Sequence, residues 1–344
     1  MQYDLTMTQS TENQAFAADH MLSVHYAVLP KKGEDSFMLH CEGARALLCV
    51  ADGCGGLGGK RYEQMGDYTG AYIASRIVAG AFTQWVKETR CIPQNQEEGQ
   101  AFLSELQQYL HAVIIRMALK SYQSTEVSRI VGSMQRTFPT TLCTAMVEKQ
   151  EADGCECCFV WAGDSRGYVL DQGGLHQYTK DDVLGEIDPF ESLYRDVPLS
   201  NFLCADLPVR LSLRRAKTTV PSIILCATDG SYGCLSTPME FEMLLLSTML
   251  AASSFESWQR KMRLALGKLA QDDATLLCLN CGFECFDDCK DYFRPRYQQL
   301  KAQFIVPVRA QNEKIEIARE KWLEYKKDYD MTEGAEDEQA DWRI

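Results

Sequence analysis

Strand-like runs are grouped along this chain rather than alternated with helices, and that grouping limits its fold more than any other feature. Apolar runs at Leu22–Leu29, Ser36–Cys41 and Ala46–Ala51 come first, separated by glycine-containing or charged turns. From Lys60 to about Thr89 the period lengthens. Gly70, Ala74, Ile77, Ala81 and Trp85 step by three and four, which is one face of a helix. A second helix is predicted from about Gln100 to Tyr122, after the Pro93-Gln94-Asn95 loop. Strand signals return at Pro139–Lys149, Glu156–Ala162, Gly167–Asp171, Leu175–Tyr178, Val209–Leu213 and Ser222–Ala227, with an irregular excursion over Thr179–Leu207. Helices at about Met239–Leu250 and Phe255–Ala270 precede a last strand, Ala274–Leu279. This segregated order favours an α+β sandwich of antiparallel sheets flanked by helices over a doubly wound parallel sheet. The 344 residues are 46% apolar and 24% charged, enough to build a real core and unlike disordered or coiled-coil chains.

Residues 1–282 read as the main domain and 283–344 as a helical appendage. In the appendage Ile315, Ala318, Trp322, Tyr325 and Tyr329 mark an amphipathic helix over 313–329. The stretch Asp328–Asp341 that follows holds seven acids and no Lys or Arg, as a solvated tail does. That helix is marginal alone, so it docks either on its own domain, the expectation weighted higher, or on a protein partner.

The charge sum excludes one class of function. Thirty-five bases against 48 acids leave −13, and a general nucleic-acid binder needs the opposite surplus. No partnership with a membrane is expected either. Met1–Ala18 has no apolar stretch of signal-peptide length, and Met243–Ala252 is too short to span a bilayer. Fifteen cysteines, an odd number, without a secretory signal predict reduced thiols and a cytoplasmic location. Cys278, Cys281, Cys285 and Cys289 have a zinc-like spacing, but the first lies in a strand and the last two fit a helical stripe with Phe293.

Chemistry enters with the acids at strand ends. Leu47–Ala51 runs into Asp52-Gly53, Phe159–Ala162 into Gly163-Asp164-Ser165-Arg166, and Ile223–Thr228 into Asp229-Gly230. Asp272-Asp273 precedes the strand Ala274–Leu279, and Glu34-Asp35 precedes Ser36–Cys41. One Asp-Gly is ordinarily a turn. Five such sites point instead to carboxylates gathered around hard divalent cations, Mg²⁺ or Mn²⁺, the apparatus for hydrolysing phosphate esters. The glycines at 53, 55, 56, 58 and 59 either let backbone approach a ligand closely or form a flexible loop into a helix. Their spacing matches neither a dinucleotide fingerprint nor a P-loop.

These residues resemble the metal-dependent serine/threonine protein phosphatases of type 2C, in a bacterial-type form. The similarity runs in the family's order through Glu34-Asp35, Val50-Ala51-Asp52-Gly53-Cys54-Gly55-Gly56 and Thr140-Thr141-Leu142. It continues through Ala162-Gly163-Asp164-Ser165-Arg166, Thr179-Lys180-Asp181, Ala227-Thr228-Asp229-Gly230 and Asp272-Asp273-Ala274-Thr275. It covers roughly residues 22–281. The resemblance implies two antiparallel sheets packed as a central sandwich between helices, α-β-β-α, with a site for two or more Mg²⁺ or Mn²⁺ ions at one edge. It implies Asp52 as the carboxylate bridging two metals, Asp229 and Asp272 completing the first, and Glu34 with the Gly53 carbonyl facing the second. Asp164 would serve a further, weaker metal. Asp35 would orient the attacking water and share the catalytic role with Asp52.

The activity so implied is hydrolysis of phosphoserine and phosphothreonine in proteins, opposing a serine/threonine kinase. The alternative is a catalytically weak or inactive phosphatase-like binding module, against which the retained Glu34, Asp52, Asp229 and Asp272 argue. Two positions depart from the family. Cys54 stands where many relatives carry a histidine. Pro30 stands where a phosphate-binding arginine is usual, which leaves Lys31 or Lys32 to bind phosphate as point charges.

Overall fold

The computed structural model describes residues 15–16, 20–89, 92–122, 135–150, 154–195, 197–219, 221–310, 315–331 and 342–343. The strands are β1 (Met21–Tyr26), β2 (Ser36–Glu42), β3 (Arg45–Ala51), β4 (Arg61–Tyr62), β5 (Tyr68–Thr69), β6 (Leu142–Gln150), β7 (Gly154–Ala162), β8 (Arg166–Asp171), β9 (Gly174–Gln177), β10 (Ser212–Thr219), β11 (Ser222–Ala227), β12 (Ala274–Cys281) and β13 (Trp342–Arg343). The helices are α1 (Gly55–Gly58), α2 (Gly70–Thr89), α3 (Gln96–Tyr122), α4 (Asp229–Tyr232), α5 (Pro238–Leu250), α6 (Phe255–Leu269), α7 (Phe286–Leu300), α8 (Val306–Ala310) and α9 (Ile315–Tyr329). One sheet has the order β1-β12-β11-β8-β9 and the other β13-β10-β7-β6-β3-β2, with every pairing antiparallel.

Strand alternation sorts the core into three apolar layers. Successive side chains of a strand point to opposite faces. In β3, Leu48 and Val50 face the other sheet and meet Ile224, Cys226, Leu277 and Leu279. Leu47, Cys49 and Ala51 face outward onto Ile73, Val78 and Phe82 of α2 and Leu103 and Leu106 of α3. In β11 and β12 the outward set, Ile223, Leu225, Leu276 and Cys278, packs under Leu245 of α5 and Trp258, Met262 and Leu266 of α6. The result is the expected four-layer α-β-β-α sandwich. Because central strands are covered on both faces, they read as continuous apolar runs.

Several bounds differ from expectation. The first long helix starts at Gly70 rather than Lys60. Gly66 at φ +82° and Asp67 at φ +59° interrupt the backbone, and β4 pairs with β5 there as a small hairpin. β1 stops at Tyr26, and a loop carries the chain to Asp35. β10 runs to Thr219 through Arg214, Arg215 and Lys217, charges that hide a strand in the sequence. Arg215 pairs with Glu156 on the neighbouring strand, and Arg214 donates to the Met331 carbonyl at 2.6 Å.

The extension joins the main core. Phe286, Phe293, Trp322, Tyr325 and Tyr329 belong to the same apolar cluster as Leu225 and Met239. Trp322 stacks on Phe190 at 6.1 Å and donates its indole N–H to Asp188 Oδ2 at 3.0 Å. Tyr325 donates to Glu242 Oε2 at 2.6 Å, and Arg296 holds that fully buried carboxylate through two bonds, of 2.7 and 2.9 Å. From Ile315 onward the helix thus turns its aromatic face onto its own chain, which takes that face out of reach of a partner. Residues 313–314 and the tail over 332–341 lie outside the described residues. Cys278 and Cys281 sit in β12, Cys289 is buried on α7, and Cys285 accepts at the start of α7 from Asp288 N.

Docking in cis has a measurable consequence. Trp322→Ala is expected to lower the unfolding free energy by about 3–5 kcal/mol, the usual range for emptying a buried aromatic site. Leu323→Ala, at a position 61% exposed, is expected to change it by less than about 0.5 kcal/mol. Urea denaturation of both variants checks this.

Candidate metal centre

Antiparallel register gathers the acids. Ser36 pairs with Ala51, so Glu34-Asp35 before β2 and Asp52 after β3 emerge at the same end of that sheet. Val50 pairs with Cys143 and Leu142 with Ala162, which brings Asp164 after β7 to that end as well. On the other sheet Ala227 pairs with Leu276 and with Arg166, so Asp229 after β11 and Asp272-Asp273 before β12 emerge together. Five chain segments far apart in sequence therefore share one edge of the sandwich.

Hydrogen bonds fix the acids unequally. Asp35 is buried, and its Oδ2 accepts from the hydroxyls of Thr228 at 2.8 Å and Thr275 at 2.7 Å. Its Oδ1 is buried with no hydrogen-bond partner. Glu34 Oε1 accepts from the Thr69 hydroxyl, while the Glu34 backbone N–H donates to Asp273 Oδ2 at 2.6 Å. Asp273 Oδ1 accepts from Val28 N at 2.8 Å, so this residue clips the 27–35 loop to β12. Asp272 is exposed, and its Oδ1 accepts from Asp273 N at 2.7 Å. The Asp164 carbonyl accepts from Tyr232 OH at 2.6 Å. Arg166 lies 4.0 Å over the Tyr232 ring and grips Asp181 with bonds of 2.6, 2.9 and 3.2 Å. It also donates to Ser192 Oγ at 2.8 Å. Glycine is required here by close approach. A Cβ on Gly55 would strike Glu34 Oε2, and one on Gly230 would strike the Asp273 carbonyl.

The electrostatics are those of like charges held together. Loss of water pushes Asp52 well above the usual carboxylate range, reinforced by Asp229, Asp35, Cys54 and Asp164. Asp229 rises through burial and Asp272 while sharing a hydrogen bond with Asp52. Asp164 rises through burial, Asp229 and Asp181. Glu34 rises through burial against the pull of the Thr69 hydroxyl, with Asp273 and Asp272 adding to it. Burial lifts Asp35 to about 7 although both threonines oppose the shift. Burial also raises the Cys54 thiol, which keeps it protonated.

Whether this set suits a metal is decided by its chemistry. The donors are hard oxygens, they repel one another, and one buried carboxylate oxygen is orphaned. All three facts fit a hard divalent cation. As placed, no three His, Cys, Asp or Glu side chains among the described residues converge closely enough to hold one ion. The cluster is assembled in register but not drawn onto a single point. Lys31 and Lys32 stand outside it, exposed on the 27–35 loop. The structure also adds partners that sequence reasoning left without roles: Asp273, Thr69, Thr228, Thr275 and Tyr232. Thr275 is a lone hydroxyl inside the apolar run of β12, a signal present in the sequence.

No protein-family model matches this chain, and no curated protein sequence matches it. Solved structures do share its fold. The serine/threonine phosphatase Stp1 from Staphylococcus aureus superposes with a TM-score of 0.55 at 17% identity, covering 78% of this chain and 96% of that one. The Mycobacterium tuberculosis serine/threonine phosphatase PstP gives 0.50 at 20% identity, covering 76% and 98%. A structure of the PstP catalytic domain in complex with two manganese ions gives 0.50 at 19%, covering 76% and 98%. At these identities the likeness establishes the fold.

The raised carboxyl sets a sign for the pH dependence of stability. A carboxyl whose folded pKa exceeds its unfolded value holds its proton more tightly when folded. For Asp35 the benefit is full below the unfolded value of about 4 and is lost as pH rises through about 7. Chelator-treated protein is therefore expected to lose stability between pH 5 and pH 8, with a smaller loss in Asp35→Asn. Urea midpoints at the two pH values check this.

Proposed function

We propose that this chain is a metal-dependent phosphoprotein phosphatase that hydrolyses phosphoserine and phosphothreonine. One observation carries the reading: five strand-end segments set Glu34, Asp35, Asp52, Asp164, Asp229 and Asp272 at one edge of a sandwich with the fold of bacterial serine/threonine phosphatases. Asp52 would be shared by two divalent cations, with Asp229 and Asp272 on the first, Glu34 and the Gly53 carbonyl on the second, and Asp164 on a weaker third. When bound, Mg²⁺ or Mn²⁺ supplies the charge that offsets these carboxylates and the Lewis acidity that activates water toward a phosphate monoester.

The chain's own residues do the rest. Thr228 and Thr275 lock Oδ2 of Asp35, leaving Oδ1 to accept a hydrogen bond from the attacking water and hold it in line. Thr69 fixes the Glu34 carboxylate, and Asp273 fixes the loop that carries it. Tyr232 and Arg166 hold the turn that bears Asp164. Water attacks phosphorus, and the products are an alcohol and inorganic phosphate. The substrates are proteins phosphorylated by a serine/threonine kinase. The described cysteines are all free thiols, which supports a cytoplasmic setting, and no helix among the described residues is long and apolar enough to cross a membrane.

A second reading, a phosphatase-like binding module, is favoured by the lack of three converging side chains among the described residues. Hydrolysis of an aryl phosphate separates the two. The phosphatase reading expects turnover with Mn²⁺ or Mg²⁺ and none after chelation. It further expects Asp229→Asn to lower turnover roughly a hundredfold or more, since even residues behind a metal ligand are worth 10–100-fold, with an unchanged circular dichroism spectrum. Wild-type turnover in that variant rejects the site, and metal-independent silence in the wild type favours the binding module.

A further inference from the structure

Beside the acidic edge lies a cleft of about 290 Å³ with the opposite charge, lined by Lys31, Lys32, Arg61, Tyr68, Thr69 and Tyr72. Three cations here face one carboxylate, Asp67, in a chain whose net charge is −13. Arg61 donates to the Asp67 carbonyl at 2.6 Å, and its ion pair with the Asp67 side chain, at 3.5 Å, is exposed and therefore weakly held. Lys31 and Lys32 sit on a turn closed by Lys32 N donating to the Leu29 carbonyl at 2.9 Å. Pro30 occupies the turn's second position, and Lys31 the third at φ +67°, where glycine is the easy choice. Holding a lysine in that conformation costs strain, and such strain gathers at functional positions.

The far wall is an aromatic ledge. Tyr68 and Tyr72 stack at 4.0 Å with their planes 6° apart. The Arg76 guanidinium lies 3.3 Å from the centre of the Tyr72 ring and donates to the Gly33 carbonyl at 2.9 Å, tying the ledge to the lysine turn. The cleft also opens onto the acidic edge. Thr69, which lines it, donates its hydroxyl to Glu34.

We propose that this cleft binds the peptide flanking the phosphorylated residue and selects acidic side chains there. The substrate class is then a phosphoserine or phosphothreonine segment with Asp or Glu within a few residues. This rests on the phosphatase reading of the adjoining edge. An extended peptide advances about 3.3 Å per residue, and Thr69 joins the cleft to Glu34, so with the phosphate held by cations at the acidic edge the flanking side chains lie along Arg61 and the lysines. A carboxylate there gains charge-assisted hydrogen bonds, a basic side chain is repelled, and the tyrosine ledge supports the backbone between them.

Fluorescence anisotropy on three labelled peptides carrying a non-hydrolysable phosphonate analogue of phosphoserine, alike except for Asp/Glu, Asn/Gln or Lys flanks, tests this with the full chain in excess Mn²⁺. The acidic peptide is expected to bind about tenfold more tightly than the neutral one, as a few partly exposed charge pairs provide, and to weaken as salt is raised. Arg61→Gln should shrink that ratio severalfold, and Arg61→Glu should turn the preference toward the Lys peptide. Lys32→Gln, on a separate element, carries the same expectation as Arg61→Gln should an Arg61 variant lose its wild-type melting temperature. Equal binding of the three peptides, or a preference unmoved by folded Arg61 or Lys32 variants, overturns the inference. Hydrolysis of an aryl phosphate, which has no flank, is read alongside. Turnover without flank preference sinks the cleft and keeps the phosphatase. Charge-selective binding that follows Arg61 without any turnover keeps the cleft and sinks the phosphatase.

Discussion

Mutual repulsion among carboxylates at one end of the sandwich is the constraint to which the rest of the structure answers. Two unit charges 4 Å apart cost about 4 kcal/mol at an effective dielectric constant near 20, and on top of burial Asp229 raises the proton affinity of Asp35, Asp52 and Asp164, with Asp35 and Asp164 adding to the rise at Asp52. The chain offers little of its own to relieve this. Thr69, Thr228 and Thr275 give neutral hydrogen bonds, and Arg166, buried beside the acids, is committed to Asp181. Three apolar layers keep the five strand ends in place despite the repulsion. A cation supplied from outside is the missing counter-charge.

The C-terminal helices belong to the same scheme. They complete the outer cover of the β1-β12-β11-β8-β9 sheet, and they also touch the turn at 188–192. Trp322 bonds to Asp188, whose other oxygen accepts from the backbone of Phe190 and Glu191. Ser192, in that same turn, receives a bond from Arg166, which packs on Tyr232, and Tyr232 holds the Asp164 carbonyl. The extension is thus continuous, through packed and hydrogen-bonded groups, with the turn that bears one of the acids. The buried Arg296–Glu242 pair with Tyr325 fastens it. Removing one partner from such a group strands a charge, which usually costs about 3–5 kcal/mol.

Much of this was legible in the chain because both sheets are covered on both faces. Ser222–Ala227 and Ala274–Leu279 could be read as strands from their unbroken apolar character, and the acids at their ends followed. What stayed hidden depends on partners distant in sequence. Asp273 reads as a twin of Asp272 until the backbone of Glu34, 239 residues away, is seen to bond to it. Strand β10 is disguised by Arg214 and Arg215, whose partners are Met331 and Glu156. Residues 61–69 carry a short helical turn at Glu63-Gln64-Met65, and the left-handed Gly66-Asp67 pair ends it and closes the hairpin of β4 and β5. Trp322 and Tyr325 announced a buried helix face without saying against what.

Calorimetric titration of Mn²⁺ into chelator-treated protein near pH 6.5, in two buffers of different ionisation enthalpy, bears most directly on the central claim. Carboxyls whose proton affinity is raised by burial and crowding must release protons when a cation takes their place. The account predicts saturable binding of at least two ions per chain with a heat that differs between the buffers, revealing that release. Absence of saturable binding, or binding with identical heats in both buffers, would contradict it.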